Sequence, residues 1–277
     1  MRRSINANGV TLDLEESGDG PPVVCLHGLT ATHRYVLMGS RGLERAGHRV
    51  ILYDARGHGA SSRAPSPADY TYDALAGDLL AVLNSSEIER AVLVGASMGA
   101  HTIARFALDQ PDRVAGLGLI TPAYEPAGLD GRLESWDALA DGLAGGGIDG
   151  FVAAYDLTGV DDRWRETMTT VMRQRLAAHR DLAAVADALR AVPRSRPFAR
   201  LDDLAAIRAP TLIVASRDDA DPTHPLATAR LWAGAIPGSR LVVEEAGRAP
   251  LAWQGGQLSR LWVELAAPAG RDEDGSA

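Results

Sequence analysis

Six short apolar runs recur along the chain: Val23–Leu26, Val50–Tyr53, Ala91–Val94, Leu117–Ile120, Thr211–Ala215 and Leu241–Val243. Each is followed by a turn and a stretch of helical pattern, and this alternation constrains the fold more than any other feature. A strand apolar at every position, rather than at alternate ones, must be covered on both faces, and strands separated by helices run in the same direction. The pattern predicts an α/β protein with a mainly parallel sheet flanked by helices. Ahead of these runs, Val10-Thr11-Leu12-Asp13-Leu14 alternates apolar and polar residues after Asn8-Gly9, which predicts an opening hairpin.

The spacing breaks once. Between Thr121 and about Arg200 no strand pattern appears. Helical patterning instead runs through Trp136–Leu143, Phe151–Tyr155, Trp164–His179 and Leu182–Val192, with a glycine cluster at Gly145–Gly147 and closing prolines at Pro193 and Pro197. The reading is a core of residues 1–121 and 201–267, a helical lid inserted at 122–200, and a polar, flexible tail at 268–277. Aromatic residues of that insertion and its approach (Tyr124, Trp136, Phe151, Tyr155 and Trp164) are candidates to line an apolar pocket.

Composition removes several functions. A formal charge of −8 argues against a nucleic-acid or anionic-membrane partner. The chain contains no lysine, so Schiff-base and P-loop lysine chemistry are excluded. The lone Cys25 cannot form an internal disulfide, the N-terminal residues lack the apolar stretch of a signal peptide, and no apolar run reaches the ~18 residues of a membrane span. A cytoplasmic protein acting on a small molecule is the expectation. No metal-ligand spacing such as His-Glu-x-x-His occurs, and neither metal nor cofactor is expected.

Chemistry concentrates at Gly95-Ala96-Ser97-Met98-Gly99, which follows the run Ala91–Val94 and precedes the helical stretch Ala100–Leu108. Gly-x-Ser-x-Gly between a strand and a helix reads as a nucleophile elbow. The sharp turn strains the serine backbone, and the flanking glycines relieve the crowding so that Ser97 Oγ projects above the sheet. His27-Gly28-Leu29 follows the run Val23–Leu26. An oxyanion hole needs two backbone N–H groups aimed at one point, and these would be Leu29 and Met98.

With these pieces the chain resembles the α/β-hydrolase superfamily over nearly its whole length. His27-Gly28, the segment Asp54-Ala55-Arg56-Gly57-His58-Gly59-Ala60-Ser61, the elbow around Ser97 and the insertion after the sixth strand carry the resemblance. It implies an eight-stranded sheet and a triad in the order serine, acid, histidine, with Asp54 and His58 serving as scaffold. It also implies hydrolysis or related acyl chemistry, since members that open epoxides or displace halide carry Asp where this chain has Ser97. The family spacing after the seventh strand selects Asp219 as the acid, whereas the proline that should follow the acid selects Asp221; Asp218 is the third candidate.

The histidine is the difficulty. The family pattern places it after the glycine that follows the eighth strand, and here that residue is Arg248. A guanidinium with a pKa above about 12 cannot serve as a general base. Arg248 would instead pair with the acid loop or be neutralised by Glu244 or Glu245, and Arg34 and Arg248 would favour a carboxylate-bearing ligand. His101, one helical turn past Ser97, and His33, just beyond the oxyanion loop, are the candidate substitute bases. His224 reads as a loop-ordering residue; His48 and His179 do not read as bases. Three functions remain open: a serine hydrolase of a small ester, lactone or thioester with a relocated base; a lyase, isomerase or cyclase using the same oxyanion donors; and a receptor-like protein that has kept the pocket and lost catalysis.

Overall fold

The structure, a computed structural model, describes residues 1–128 and 132–267. Eight strands form one sheet in the order β1-β2-β4-β3-β5-β6-β7-β8. Strands β1 (Arg2–Ala7) and β2 (Val10–Ser17) make the opening hairpin, turning at Asn8 and Gly9, whose φ values of 48° and 81° match a two-residue hairpin loop. β2 also pairs antiparallel with β4 (Arg49–Tyr53). The remaining strands are parallel: β3 (Pro22–Leu26), β5 (Ala91–Ala96), β6 (Val114–Ile120), β7 (Thr211–Ala215) and β8 (Arg240–Val243).

Continuous apolar runs serve two faces at once. Val24, Leu26, Leu93 and Leu119 pack into the cluster beneath α2 (Tyr72–Ser85) and α3 (Met98–Asp109). Their neighbours Val23, Cys25, Val92 and Val94 face the other way, onto Leu258 and Trp262 of α8 (Gly255–Ala266). Side chains that alternate across a strand explain why neither face could be polar. The short α1 (Gly42–Arg45) and α7 (Leu226–Ala235) complete the flanking layers.

Among the described residues, three α-helices fill the gap between β6 and β7. In α4 (Leu133–Ala154) the glycine cluster makes a kink, with Gly147 at φ 59° and ψ −145°; α5 (Asp162–Ala177) and α6 (Leu182–Ala191) follow. Their apolar sides share one cluster with Leu29, Ala55 and Met98, residues that stand just past the carboxyl ends of β3, β4 and β5. The insertion therefore lies over the end of the sheet where the elbow opens. The sequence expectation for the tail at 268–277 falls outside the described residues.

Candidate active site

Ser97 sits between β5 and α3 with φ 50° and ψ −111°, a left-handed conformation that costs a non-glycine residue free energy. The surroundings hold it there. Its N–H donates to Ile120 O (2.9 Å) and its carbonyl accepts from His101 N (3.0 Å). A Cβ on Gly95 would strike the backbone of Gly99, and one on Gly99 would strike Leu26 and His27, so the turn closes only with glycine on both sides.

The imidazole that reaches Ser97 belongs to His224. Its Nε2 stands 2.9 Å from Ser97 Oγ, and its Nδ1 stands 2.7 Å from Asp221 Oδ2. The loop from β7 to α7 creates this file locally. Asp221-Pro222-Thr223-His224 is a β-turn closed by His224 N–H on Asp221 O (3.2 Å), and such a turn brings its first and last side chains together. Thr223 Oγ1 donates to the other carboxylate oxygen, Oδ1 (2.5 Å). Burial opposes ionisation of Asp221, but His224, the Thr223 hydroxyl and the charge of Arg175 outweigh it and bring the carboxyl down to about 2. An ionised Asp221 accepts a hydrogen bond from Nδ1–H, which leaves the Nε2 lone pair facing the Ser97 hydroxyl.

The position after β8 is a different place. Arg248 is three-quarters exposed and lies 3.8 Å from Glu245. Glu244 does not neutralise it; that buried carboxylate accepts from Leu251 N (3.1 Å) and from Arg217 N. His224 orders its own loop through Asp221 and Thr223, as expected, but it also contacts Ser97 directly, which that reading did not include. The signal was present in the Asp-Pro-Thr-His turn, but the usual chain order of acid, strand and then histidine concealed it.

The substitute bases considered from sequence are occupied elsewhere. His101 does line the cavity, but its Nε2 accepts the N–H groups of Ala123 and Tyr124 (3.0 and 3.1 Å), and its Nδ1 is directed to the Tyr72 hydroxyl (2.9 Å). Burial disfavours its charged form, and the nearby His224 adds to this, so its pKa falls to about 3. His33 faces away, bonded through Nδ1 to Asp54 (2.8 Å); burial works against its imidazolium, yet Asp54 more than compensates and raises its pKa. Asp219, the other acid candidate, pairs with Arg163 on α5, and its carbonyl accepts from Asp161 N (2.8 Å). Asp218 caps α7 through Leu226 N (2.7 Å).

The oxyanion loop is held from below by histidines. His27 accepts from Ala55 N (2.9 Å) and donates to Gly28 O (2.8 Å); burial and the neighbouring His58 lower its pKa to about 3. His58 bridges the carbonyls of Arg56 and Leu29 (2.8 and 2.6 Å). Asp54 binds Ala60 N and His33, as a scaffold residue should. Among the described residues the N–H groups of Leu29 and Met98 donate to no backbone or side-chain acceptor, and both residues line the same cavity as Ser97 and His224. That cavity holds about 290 Å³ and is walled in part by Tyr72, Tyr124, Trp136 and Tyr155. Phe151 and Trp164 are instead packing residues; Trp164 meets Trp253 edge-on at 5.7 Å.

Asp13, His33 and Asp54 place one ligand atom each within 4.8 Å of one another. Arg2 already engages Asp13, and backbone amides and His33 engage Asp54, so the cluster is an internally satisfied network.

A serine on a strained strand–helix turn, with an imidazole and a carboxylate in file beside it, at the carboxyl end of a doubly covered parallel sheet, defines an α/β-hydrolase type of centre. The chain belongs to the alpha/beta hydrolase fold family, whose model matches residues 21–255. It is similar to epoxide hydrolase 2 of Siraitia grosvenorii, at 37% identity over 117 residues, covering 41% of this chain and 36% of that protein. Across the first curated relatives it thus spans well under half their length. Among solved structures it is similar to an N-acyl homoserine lactone degrading enzyme, at 27% identity and TM-score 0.74, covering 95% of this chain and 98% of that one. It is also similar to a thermophilic esterase from Thermogutta terrifontis, solved with malate bound, at 27% identity and TM-score 0.77, covering 96% and 99%. No described helix is long and apolar enough to cross a membrane.

Proposed function

We propose that this chain is a serine hydrolase of small carboxylic esters or lactones, with Ser97 as nucleophile, His224 as general base, Asp221 as the acid, and the Leu29 and Met98 amides as oxyanion donors. The observation that carries the reading is the 2.9 Å approach of His224 Nε2 to Ser97 Oγ. Ser97 Oγ attacks the carbonyl carbon as His224 takes its proton. The oxyanion forms against the two amides, and the proton passes to the departing alkoxide. Water then repeats the sequence on the acyl-enzyme. The helices α4–α6 act as a lid that walls the cavity and excludes bulk water.

The esterase and lactone-degrading structures support this substrate range, and a hydroxyl nucleophile at residue 97 favours it over epoxide opening. A base placed at His224 weighs against a lyase, isomerase, cyclase or receptor, since each of these would leave Ser97 without one. Arg248 then needs no catalytic role. The test is covalent labelling by a fluorophosphonate probe. Labelling of the wild type that is lost in Ser97→Ala is expected; a wild type that stays unlabelled after prolonged exposure overturns the reading.

A further inference from the structure

Arginines of the inserted helices mostly face aspartates. Arg165, Arg173, Arg190 and Arg194 each pair with one, and Arg163 with two. Arg175, near the end of α5, differs. It is partly buried, and its Nε is shut off from solvent with no hydrogen-bond partner among the described residues. The acid-loop carboxylates are committed elsewhere, Asp219 to Arg163 and Asp221 to His224. A desolvated guanidinium with unfilled donors is costly unless an anion completes it.

Its location suggests which anion. A Cβ built on Gly28 would lie 3.4 Å from Ser97 Cβ and 3.8 Å from Arg175 Nη2. The serine and the guanidinium therefore border the same small space, which the absence of a Gly28 side chain keeps open, beside the Leu29 amide. Asp221, Tyr155 and Tyr35 are the ionisable groups whose ionised forms would favour the Arg175 cation, and Tyr155 also walls the cavity. Arg175 does not itself wall the cavity; it stands behind Gly28, at the edge of the space beside Ser97 Cβ.

We propose that Arg175 is a specificity residue that binds a carboxylate on the acyl part of the substrate, so that the preferred substrates are hemiesters, or lactones, of short acids bearing a second acid group. The inference rests on the serine-hydrolase reading for its chemistry but not for its binding. The carboxylate is held by charge-assisted hydrogen bonds and is unchanged by the reaction; only the ester C–O bond breaks, with its proton supplied through His224.

Two measurements on the full chain test it. In the first, hydrolysis of monoethyl succinate is compared with that of ethyl butyrate by pH-stat. The wild type should prefer the hemiester. Arg175→Gln should lower the ratio of kcat/KM for the hemiester to that for ethyl butyrate roughly 10- to 100-fold, with Arg175→Lys in between. In the second, succinate binding to Ser97→Ala is measured by calorimetry and should vanish when Arg175→Gln is added. Equal losses on both esters would show that Arg175 acts only through Asp221 and would overturn the proposal. So would succinate binding that survives the substitution, or a wild type that prefers the neutral ester. Ethyl butyrate turnover without succinate binding sinks the anion site alone. Arg175-dependent succinate binding with neither ester hydrolysed sinks the hydrolase reading alone.

Discussion

His224 Nε2 lies 2.9 Å from Ser97 Oγ although His224 follows Asp221, which it also contacts, by only three residues on the same turn. Under the proposed assignment, acid and base would sit on one turn, and the loop after β8 would carry no catalytic duty. The consequence is a pair of opposite expectations. His224→Ala should lower ester turnover by about 10⁴-fold or more, because an unassisted seryl hydroxyl is a poor nucleophile. Arg248→His, which restores the residue usual for the family at that position, should leave turnover essentially unchanged, since residue 248 is exposed and engaged with Glu245. Steady-state kinetics on a p-nitrophenyl ester decide it; activity that appears only in Arg248→His would contradict the assignment.

The two aspartates that compete for the acid role in the sequence should separate cleanly. Asp221→Asn removes the acceptor that fixes the His224 tautomer, and a loss of order 10³–10⁴ in kcat is expected. Asp219→Asn breaks the pair with Arg163 at the start of α5 and should cost far less, with any effect appearing in KM as the insertion loosens. Comparable losses in kcat from both would mean that the acid loop acts through its overall charge rather than through Asp221.

The parallel sheet and the strand–turn–helix around Ser97 were legible because each rests on local rules. Runs such as Val23–Leu26 can only be doubly covered strands, and Gly95 and Gly99 are dictated by backbone contacts. His224 was harder to read because it is defined by a turn, not by a period. Asp221 and His224 meet through one reversal of the chain, whereas the sequence order inherited from the family pointed beyond β8 to Arg248. Arg175 left no trace at all, since one arginine on an arginine-rich helix looks like its paired neighbours until the packing shows which lacks an aspartate.

His179 joins the inserted helices to the core by accepting from Gly59 N (2.9 Å) and donating to Thr30 O (3.2 Å). The accepting nitrogen must stay unprotonated, and burial lowers the imidazole to about 4. Because this folded-state value lies below the ordinary ~6.5, the contribution is complete above that pH and is lost as pH falls toward 4. His27 and His101, at about 3, add losses of the same sign that extend lower. Urea denaturation of the wild type and His179→Gln across this range is the measurement. The wild-type advantage near neutrality should shrink steadily between roughly pH 6.5 and 4. A gap that does not change with pH would show that His179 contributes by packing alone.

Beneath the site, Arg56 makes two hydrogen bonds of 2.8 Å to Asp78, whose side chain is wholly buried on α2, and a third of 3.0 Å to Asp69 O. This pair anchors the loop that carries Ala55 and His58, and through them the His27 ring and the Leu29 carbonyl. Asp78→Ala strands a buried guanidinium and should cost about 3–5 kcal/mol of stability, whereas a pair of apolar replacements strands nothing. Arg56→Met with Asp78→Leu should therefore be more stable than Asp78→Ala alone, although it carries one substitution more. Activity should not follow that recovery, because the apolar pair no longer fixes the loop that sets the Leu29 amide. Denaturation and ester turnover measured on the same three proteins separate the two effects; a double variant less stable than Asp78→Ala would show that the loop depends on the ion pair for folding as well as for geometry.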